Sequence, residues 1–301
     1  MVRRMRGLLL SAVLFVGCVV PAEPISDSPS DEDLLTPLLR SDLALPVDAA
    51  GPDLAKAARC PQYMVLIPNS GTGFCIDQYE SSTMRIIPTG GEEPWPFDRP
   101  VDGQTVRAVI RPGQKPQAYI SGAQAADACK RSGKRLCTET EWLSACQGPT
   151  KKTYPYGNTY QAGACNEGRA TNPVNDCFGS GSSVFTYSNM NSPCCVSLPN
   201  TVATVGSYGK CVSDFGIYDM HGNLHEWIDA TTASGNGIFK GGFFVDAKIN
   251  GSGCLYKTTA HAKTYHDYST GFRCCTAARA CQPCRIAGIP VATASSITVL
   301  R

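Results

Sequence analysis

Residues 215–227 read F-G-I-Y-D-M-H-G-N-L-H-E-W, and the rest of the chain orders itself around them. The alternation at 215–218 predicts a short strand, and Gly222-Asn223 between two periodic segments is turn chemistry. Asp219 and Glu226 fall on either side of that turn. A tight loop of this kind can point main-chain carbonyls inward beside two carboxylates, and oxygen ligands of that sort suit a hard cation such as calcium. The plainer alternative is a turn that only buries Tyr218 and Trp227 against a core.

Upstream of this stretch, two segments carry their own helix signals. Ser121 followed by Gln124 forms a capping box, which predicts a helix running to Gly133. Thr138 and Glu141 form a second, opening a helix that ends near Gly148. Ala125, Ala128 and Cys129 give the first an apolar face, and Trp142, Ala145 and Cys146 give the second one. Earlier still, residues 64–68 read as a buried strand and 74–79 as its hairpin partner. Cys60 and Cys75 flank that hairpin and are expected to be bonded to each other. Residues 81–118 are turn-rich, with Trp95 read as a core residue. Residues 150–211 are loop with short strands, and Cys281-Gln-Pro-Cys284 reads as a local disulfide near the C-terminus.

Composition limits the classes of function. The 301 residues are 17% charged, with 29 Gly and 21 Pro, which indicates a loop-rich fold. A formal net charge of +2 offers no footing for nucleic acid. Sixteen cysteines imply an oxidising compartment and a disulfide framework. The N-terminus agrees with this. Arg3, Arg4 and Arg6 precede a short apolar run at 7–17, which is an export signal too short to span a membrane. Phe15-Val16-Gly17-Cys18 resembles a bacterial lipoprotein box, with Cys18 as the lipid-bearing residue. Val19 does not resemble an inner-membrane retention signal, so the outer membrane is favoured over the inner. Residues 19–58 carry eight acidic groups against Arg40 and Lys56 and read as a solvated tether. The resulting division is an export signal at 1–18, the tether at 19–58, one domain at 60–280 and a tail at 281–301. Without Cys18, fifteen cysteines remain, an odd number, so at least one is expected to be free or intermolecular.

The stretch at 216–227 resembles the G-L-Y-D-M-x-G-N-V-W-E-W signature of the formylglycine-generating enzyme, or sulfatase-modifying-factor, family. Further family marks follow in order: C-I-D-Q-Y-E at 75–80, G-K-R-L-C-T-E-T-E-W at 133–142, Y-P-Y-G-N at 154–158, G-S-Y at 206–208, K-G-G-F at 240–243 and T-G-F-R-C at 270–274. The resemblance implies an α+β, irregular C-type-lectin-like fold, rich in disulfides, with two helices and short antiparallel strands. It implies the disulfides Cys129–Cys274 and Cys146–Cys254. It also implies one structural calcium held by Asp219, Glu226 and the carbonyls of Gly222 and Leu224. A second would be held by Asn166 and Asp176 with the carbonyls of Glu167 and Phe178. At this second place the plain alternative is a set of ordinary Asx turns.

The family enzymes oxidise a substrate cysteine with molecular oxygen, using copper(I) held by two thiolates, the soft ligands that ion prefers. The two places where the family has those thiols hold Asp246 and Gly251 in this chain. Copper is therefore not expected, and Cys254 is assigned to the bridge with Cys146. His221 and His225 lie on a turn and make a poor metal pair. His261 and His266, with Asp246, would line the substrate groove, although His261 can equally serve as a hydrogen-bonding residue within the fold. No G-x-S-x-G, Walker loop or H-E-x-x-H is present. Three functions compete. One is a monomeric, lipid-anchored binding module for a peptide, glycan or protein. The second is an enzyme of different chemistry using Asp246, His261 and His266 in the same groove. The third is a formylglycine-generating oxidoreductase with Cys254 free.

Overall fold

The computed structural model describes residues 58–69 and 71–280. Cys18, Cys281 and Cys284 lie outside the described residues. Both capping boxes form. Helix α1 spans Gly122–Arg131, with the Ser121 hydroxyl accepting from the Gln124 N–H and the Gln124 side chain accepting from the Ser121 N–H. Helix α2 spans Glu139–Gln147, capped in the same reciprocal way by Thr138 and Glu141 and ended by Gly148. Such caps satisfy N–H groups that a first turn leaves without partners. Ala125, Ala128 and Cys129 on α1, and Trp142, Ala145 and Cys146 on α2, are fully buried.

Strand Met64–Ile67 pairs antiparallel with Phe74–Asp77, whose other edge takes Cys274–Ala277, followed by Arg135–Leu136. A second four-stranded sheet runs Lys257–Thr258, Gly237–Lys240, His225–Thr231, Thr270–Phe272. Its last pair is parallel, a departure from the expected all-antiparallel strands. A three-stranded sheet orders Glu92–Pro94, Ser82–Ile86 and Val106–Val109. Three short helices of four to six residues also occur, at Pro173–Phe178, Tyr187–Met190 and Cys194–Ser197. This is the irregular α+β, C-type-lectin-like architecture that the family resemblance implies.

One expected strand is absent. Residues 215–218 form a turn and a single bridge, Val212 to Tyr218. Gly216 adopts φ +78° and donates to the Ser213 carbonyl, while Ser213 donates to that of Ile217. The backbone therefore folds onto itself where alternation suggested extension. The strand begins later, at His225.

Six disulfides fasten the described residues: Cys60–Cys75, Cys129–Cys274, Cys137–Cys275, Cys146–Cys254, Cys165–Cys211 and Cys177–Cys194. Neighbouring Cys274 and Cys275 hold α1 and the lead-in to α2, and Cys254 holds the C-terminal half of α2. The links at 129–274, 137–275 and 146–254 span 145, 138 and 108 residues. Each is worth about 4–5 kcal/mol in the chain-entropy account. Cys195 is a free, buried thiol.

Candidate functional site

The stretch at 215–227 is held by three fully engaged polar residues. Arg273 sits where the chain leaves the Thr270–Phe272 strand and enters Cys274–Ala277. Its Nε and Nη2 each lie 2.6 Å from a different Glu226 oxygen. Nη1 and Nη2 also donate to the carbonyls of Asp77 and Tyr218, at 3.1 and 2.8 Å. The Trp142 indole donates to Glu226 Oε2 at 2.7 Å. Arg273 and Glu226 are each 1% exposed. The pairing is bidentate, the strongest form of this interaction, and both ions are completed by further hydrogen bonds.

Asn223 fixes the turn from within. Its Oδ1 accepts from Asn166 Nδ2 and the Ala203 N–H, its N–H donates to the Asn166 carbonyl, and its Nδ2 donates to Glu80. Glu80 also accepts the Leu224 N–H at 3.0 Å. Gly222 is required by approach as well as by conformation. Its φ is +80°, and a Cβ there would come within 2.2 Å of the Asn166 carbonyl oxygen.

Glu226 alone pairs with the Arg273 guanidinium, and Glu80 and Asp219 lie within reach of its charge. Burial, followed by the charges of Asp219 and Glu226, pushes Glu80 well above its ordinary range. Burial likewise raises Asp219, to about 6, against the Gly206 N–H and the Arg273 charge, which pull it down. In its chemistry the donor set at 219–226 fits a hard cation, because carboxylate charge remains incompletely offset there. Glu226 is nevertheless already committed to Arg273 and Trp142. Among the described residues no three His, Cys, Asp or Glu side chains converge as a metal cluster. The second proposed set fits poorly. Asp176 pairs with Arg169 at 2.7 Å and accepts from Thr171, while Asn166 donates through Nδ2 to the Thr201 carbonyl and to Asn223 Oδ1. Phe178, on the helix that carries Asp176, is 38% exposed. Glu167 instead faces His221, with 3.5 Å between Oε2 and Nε2.

The groove residues do not meet directly. Asp246 is turned inward: Oδ1 accepts the N–H groups of Lys248 and Ile249, and Oδ2 accepts the Tyr256 hydroxyl at 3.2 Å. From there a line of polar groups runs through the interior. The Tyr256 hydroxyl meets His225 Nε2 at 3.3 Å, and His225 Nδ1 meets Ser269 Oγ at 3.1 Å. Ser269 donates to Asp267 Oδ1 at 2.7 Å, and Tyr265 donates to Asp267 Oδ2 at 2.5 Å. His261 joins only by stacking on Tyr265, with ring centres 3.9 Å apart. His266 belongs to a separate group with Asn191 at 2.6 Å, Tyr187 at 3.0 Å and Asp102 at 3.2 Å.

The sequence reading placed His225 on a turn as half of a poor metal pair; it instead begins the strand His225–Thr231, where the family signature has Trp. Burial, with a smaller contribution from His261, lowers it to about 3, so the imidazole is neutral near pH 7. Phe239 and Phe243 pack on it at 4.5 and 4.8 Å. Ser269, His225 and Asp267 resemble a nucleophile–base–acid trio by composition only. The acid holds the serine and leaves the histidine unoriented, the reverse of the order that activates a nucleophile.

Among the described residues the expected thiolate pair is not formed. Asp246 and Gly251 occupy one turn, and Cys254 is bonded to Cys146. Gly251 has φ +123°, and a Cβ there would lie 3.0 Å from the Leu255 carbonyl oxygen. A cysteine at 251 would be strained by both. The free Cys195 is pushed up to about 12 by burial and then by the charge of Asp267. It stays protonated and donates to the Asn189 carbonyl at 3.4 Å.

Comparison with known proteins bears on this architecture. Residues 70–278 match the model of the family described as "Sulfatase-modifying factor enzyme 1-like domain". Two relatives, each named "Inactive C-alpha-formylglycine-generating enzyme 2", from Bos taurus and Mus musculus, are 25% identical over 170 residues. That stretch covers 54% of this chain and 50% and 49% of theirs, so the chain spans about half the length of the curated relatives it matches. Among solved structures, that titled "Crystal Structure of CarF" superposes with a TM-score of 0.42 at 17% identity, covering 73% of this chain and 95% of the other.

Proposed function

The chain belongs to the sulfatase-modifying-factor family, and from that premise we propose that it is a non-catalytic binding module that has kept the family framework. The observation that carries this reading is the turn at 246–251. Both places expected to hold copper-binding thiols are occupied by residues with other structural tasks, and Cys254 is bonded to Cys146. Copper(I) chemistry of this kind requires two accessible thiolates. The word "Inactive" in the names of the two mammalian relatives agrees with it. The test is incubation of purified protein with copper(I), oxygen and a Cys-x-Pro-x-Arg peptide. No loss of mass corresponding to aldehyde formation is expected. Conversion that disappears in Cys254→Ser would overturn the reading in favour of a formylglycine-generating oxidoreductase.

Two accessory proposals accompany it. Calcium would be held by Asp219 and the carbonyls of Gly222 and Leu224, with Glu226 shared with Arg273; its part is structural. The second set, Asn166, Glu167, Asp176 and Phe178, is not proposed, since Arg169 already neutralises Asp176. The N-terminal basic run, apolar segment and Cys18 support lipid anchoring in the cell envelope, with the outer membrane favoured. Fatty-acid labelling is expected to vanish in Cys18→Ala, and labelling that persists would refute the anchor. Among the described residues no helix is long and apolar enough to cross a membrane.

A further inference from the structure

A cavity of about 340 Å³ opens beside the three-stranded sheet, away from the turn at 246–251. Its wall includes Trp95, Phe97, Arg111, Lys115, Gln117 and Thr204. Its size lies at the lower end of the range for small-molecule sites. Two features set its chemistry. The first is charge: Arg111 and Lys115 both line it, neither has an ion-pair partner among the described residues, and no acidic side chain is in its wall. The second is shape: Trp95 and Phe97 are half-buried and contribute aromatic wall. Both rings are fixed in place. The Trp95 indole donates to the Arg99 carbonyl at 3.3 Å, and the Arg85 guanidinium lies 5.5 Å from its ring centre. Lys115 Nζ lies 4.8 Å from the centre of Phe97.

We propose that this cavity binds a ring-shaped anion of the acidic-sugar class, a six-membered ring carrying a carboxylate or sulfate. Arg111 offers a planar fork that matches either oxyanion, Lys115 adds a compact second charge, and the aromatic wall takes the flat face of the ring. The surroundings disfavour an acidic peptide. The strand edge Glu92–Pro94 offers no free charge to such a peptide, since Glu92 is paired with Arg107 and Glu93 with Arg85. Pro94 and Pro96 lack the N–H groups that an added strand would need. None of the residues lining this cavity belongs to the 246–251 turn on which the preceding reading rests, and the site adds a ligand class to that reading. Failure of one does not touch the other: peptide oxidation would overturn the non-catalytic reading and leave this site standing, and absence of anion binding would do the reverse.

The test uses the intact protein and its own fluorescence. Of the three tryptophans, Trp142 and Trp227 are 0% and 1% exposed, so Trp95 is the one a ligand in solution can reach. Titration with a galacturonate trisaccharide is expected to shift the emission and to weaken as salt is raised. The double variant Arg111→Gln, Lys115→Gln, checked for native circular dichroism, is expected to lose at least tenfold in affinity by calorimetry. Four results would overturn the proposal: no galacturonate binding, equal binding of the neutral galactose trisaccharide, equal or tighter binding of sodium sulfate or a tri-aspartate peptide, or full affinity in the natively folded double variant.

Discussion

The loop at 219–226 and the turn at 246–251 stand differently to the family signature. The loop keeps the signature's Asp219, Met220, Gly222, Asn223 and Glu226, with Leu224 and His225 where it has Val and Trp, and Asn223 and Glu226 are each held by several partners at once. Removing Arg273 would strand Glu226, and widening Gly222 would collide with Asn166. The turn at 246–251 has exchanged the expected thiols for a carboxylate and a glycine, and both are absorbed locally. Asp246 satisfies two backbone N–H groups and the Tyr256 hydroxyl. A framework whose parts are mutually compensated resists change, whereas a reactive pair can be replaced wherever the backbone accepts something simpler.

The largest blow to this contrast should come from Arg273→Met. It leaves Glu226 buried beside Glu80 and Asp219 without a cation, and the loss of one partner of a buried pair costs about 3–5 kcal/mol. Denaturant unfolding should register that loss. A variant within about 1 kcal/mol of the wild type would show that the loop is not held by this ion pair.

Next, Gly222→Ala should destabilise far more than Asp246→Asn. The first meets a positive φ and the Asn166 carbonyl, and is expected to cost at least about 2 kcal/mol. The second keeps an oxygen for the turn and weakens one or two hydrogen bonds, at about 1 kcal/mol. Equal costs, measured by thermal melting, would erase the distinction between the two regions.

The distinction between the regions follows how much of each is legible in the sequence. Capping boxes are local, so Ser121–Gln124 and Thr138–Glu141 could be read directly. The pairings Cys129–Cys274 and Cys146–Cys254 came only with the family resemblance. Cys137–Cys275, Cys165–Cys211 and Cys177–Cys194 had no local signal, because their partners are joined by sheet order and loop path alone. Residues 215–218 were misread because alternation ignores the positive φ that Gly216 permits. His225 was weighed only as a metal ligand because its role arises from Tyr256 and Ser269, 31 and 44 residues away. Trp95, read as core, does pack against the cluster that holds Val101, Ile120 and Trp227, and the part left uncovered faces a cavity that the sequence does not reveal.

The smallest net effect is expected from pH, because two groups of the 219–226 loop act in opposite directions. Asp219 rises to about 6 on folding from a model value of 3.8. The native state therefore holds that proton more tightly, and stability falls as pH rises through roughly 4 to 6. His225 falls to about 3 from 6.5, so the unfolded state holds its proton more tightly and stability falls as pH drops below about 6.5. Asp219→Asn should reduce the first slope, to which the likewise raised Glu80 also contributes, and His225→Gln should remove the second. Calcium, if held at 219–226, should raise the melting temperature and flatten the Asp219 slope, and chelator should restore it. Variants with superimposable pH profiles would refute the opposition.

The pairing of Cys274 and Cys275 constrains how the protein is made. Cys129, Cys137 and Cys146 emerge within eighteen residues of one another, but their partners are synthesised 108 to 145 residues later. Until then the thiols nearest in the chain are each other. An oxidant that acts early would join the wrong pair, since loop closure favours short separations. Correct assembly thus requires either that oxidation wait for the last strand or that an isomerase reopen premature bonds. Yield in a cell lacking disulfide isomerase therefore depends on the timing of oxidation as much as on the stability of the finished fold.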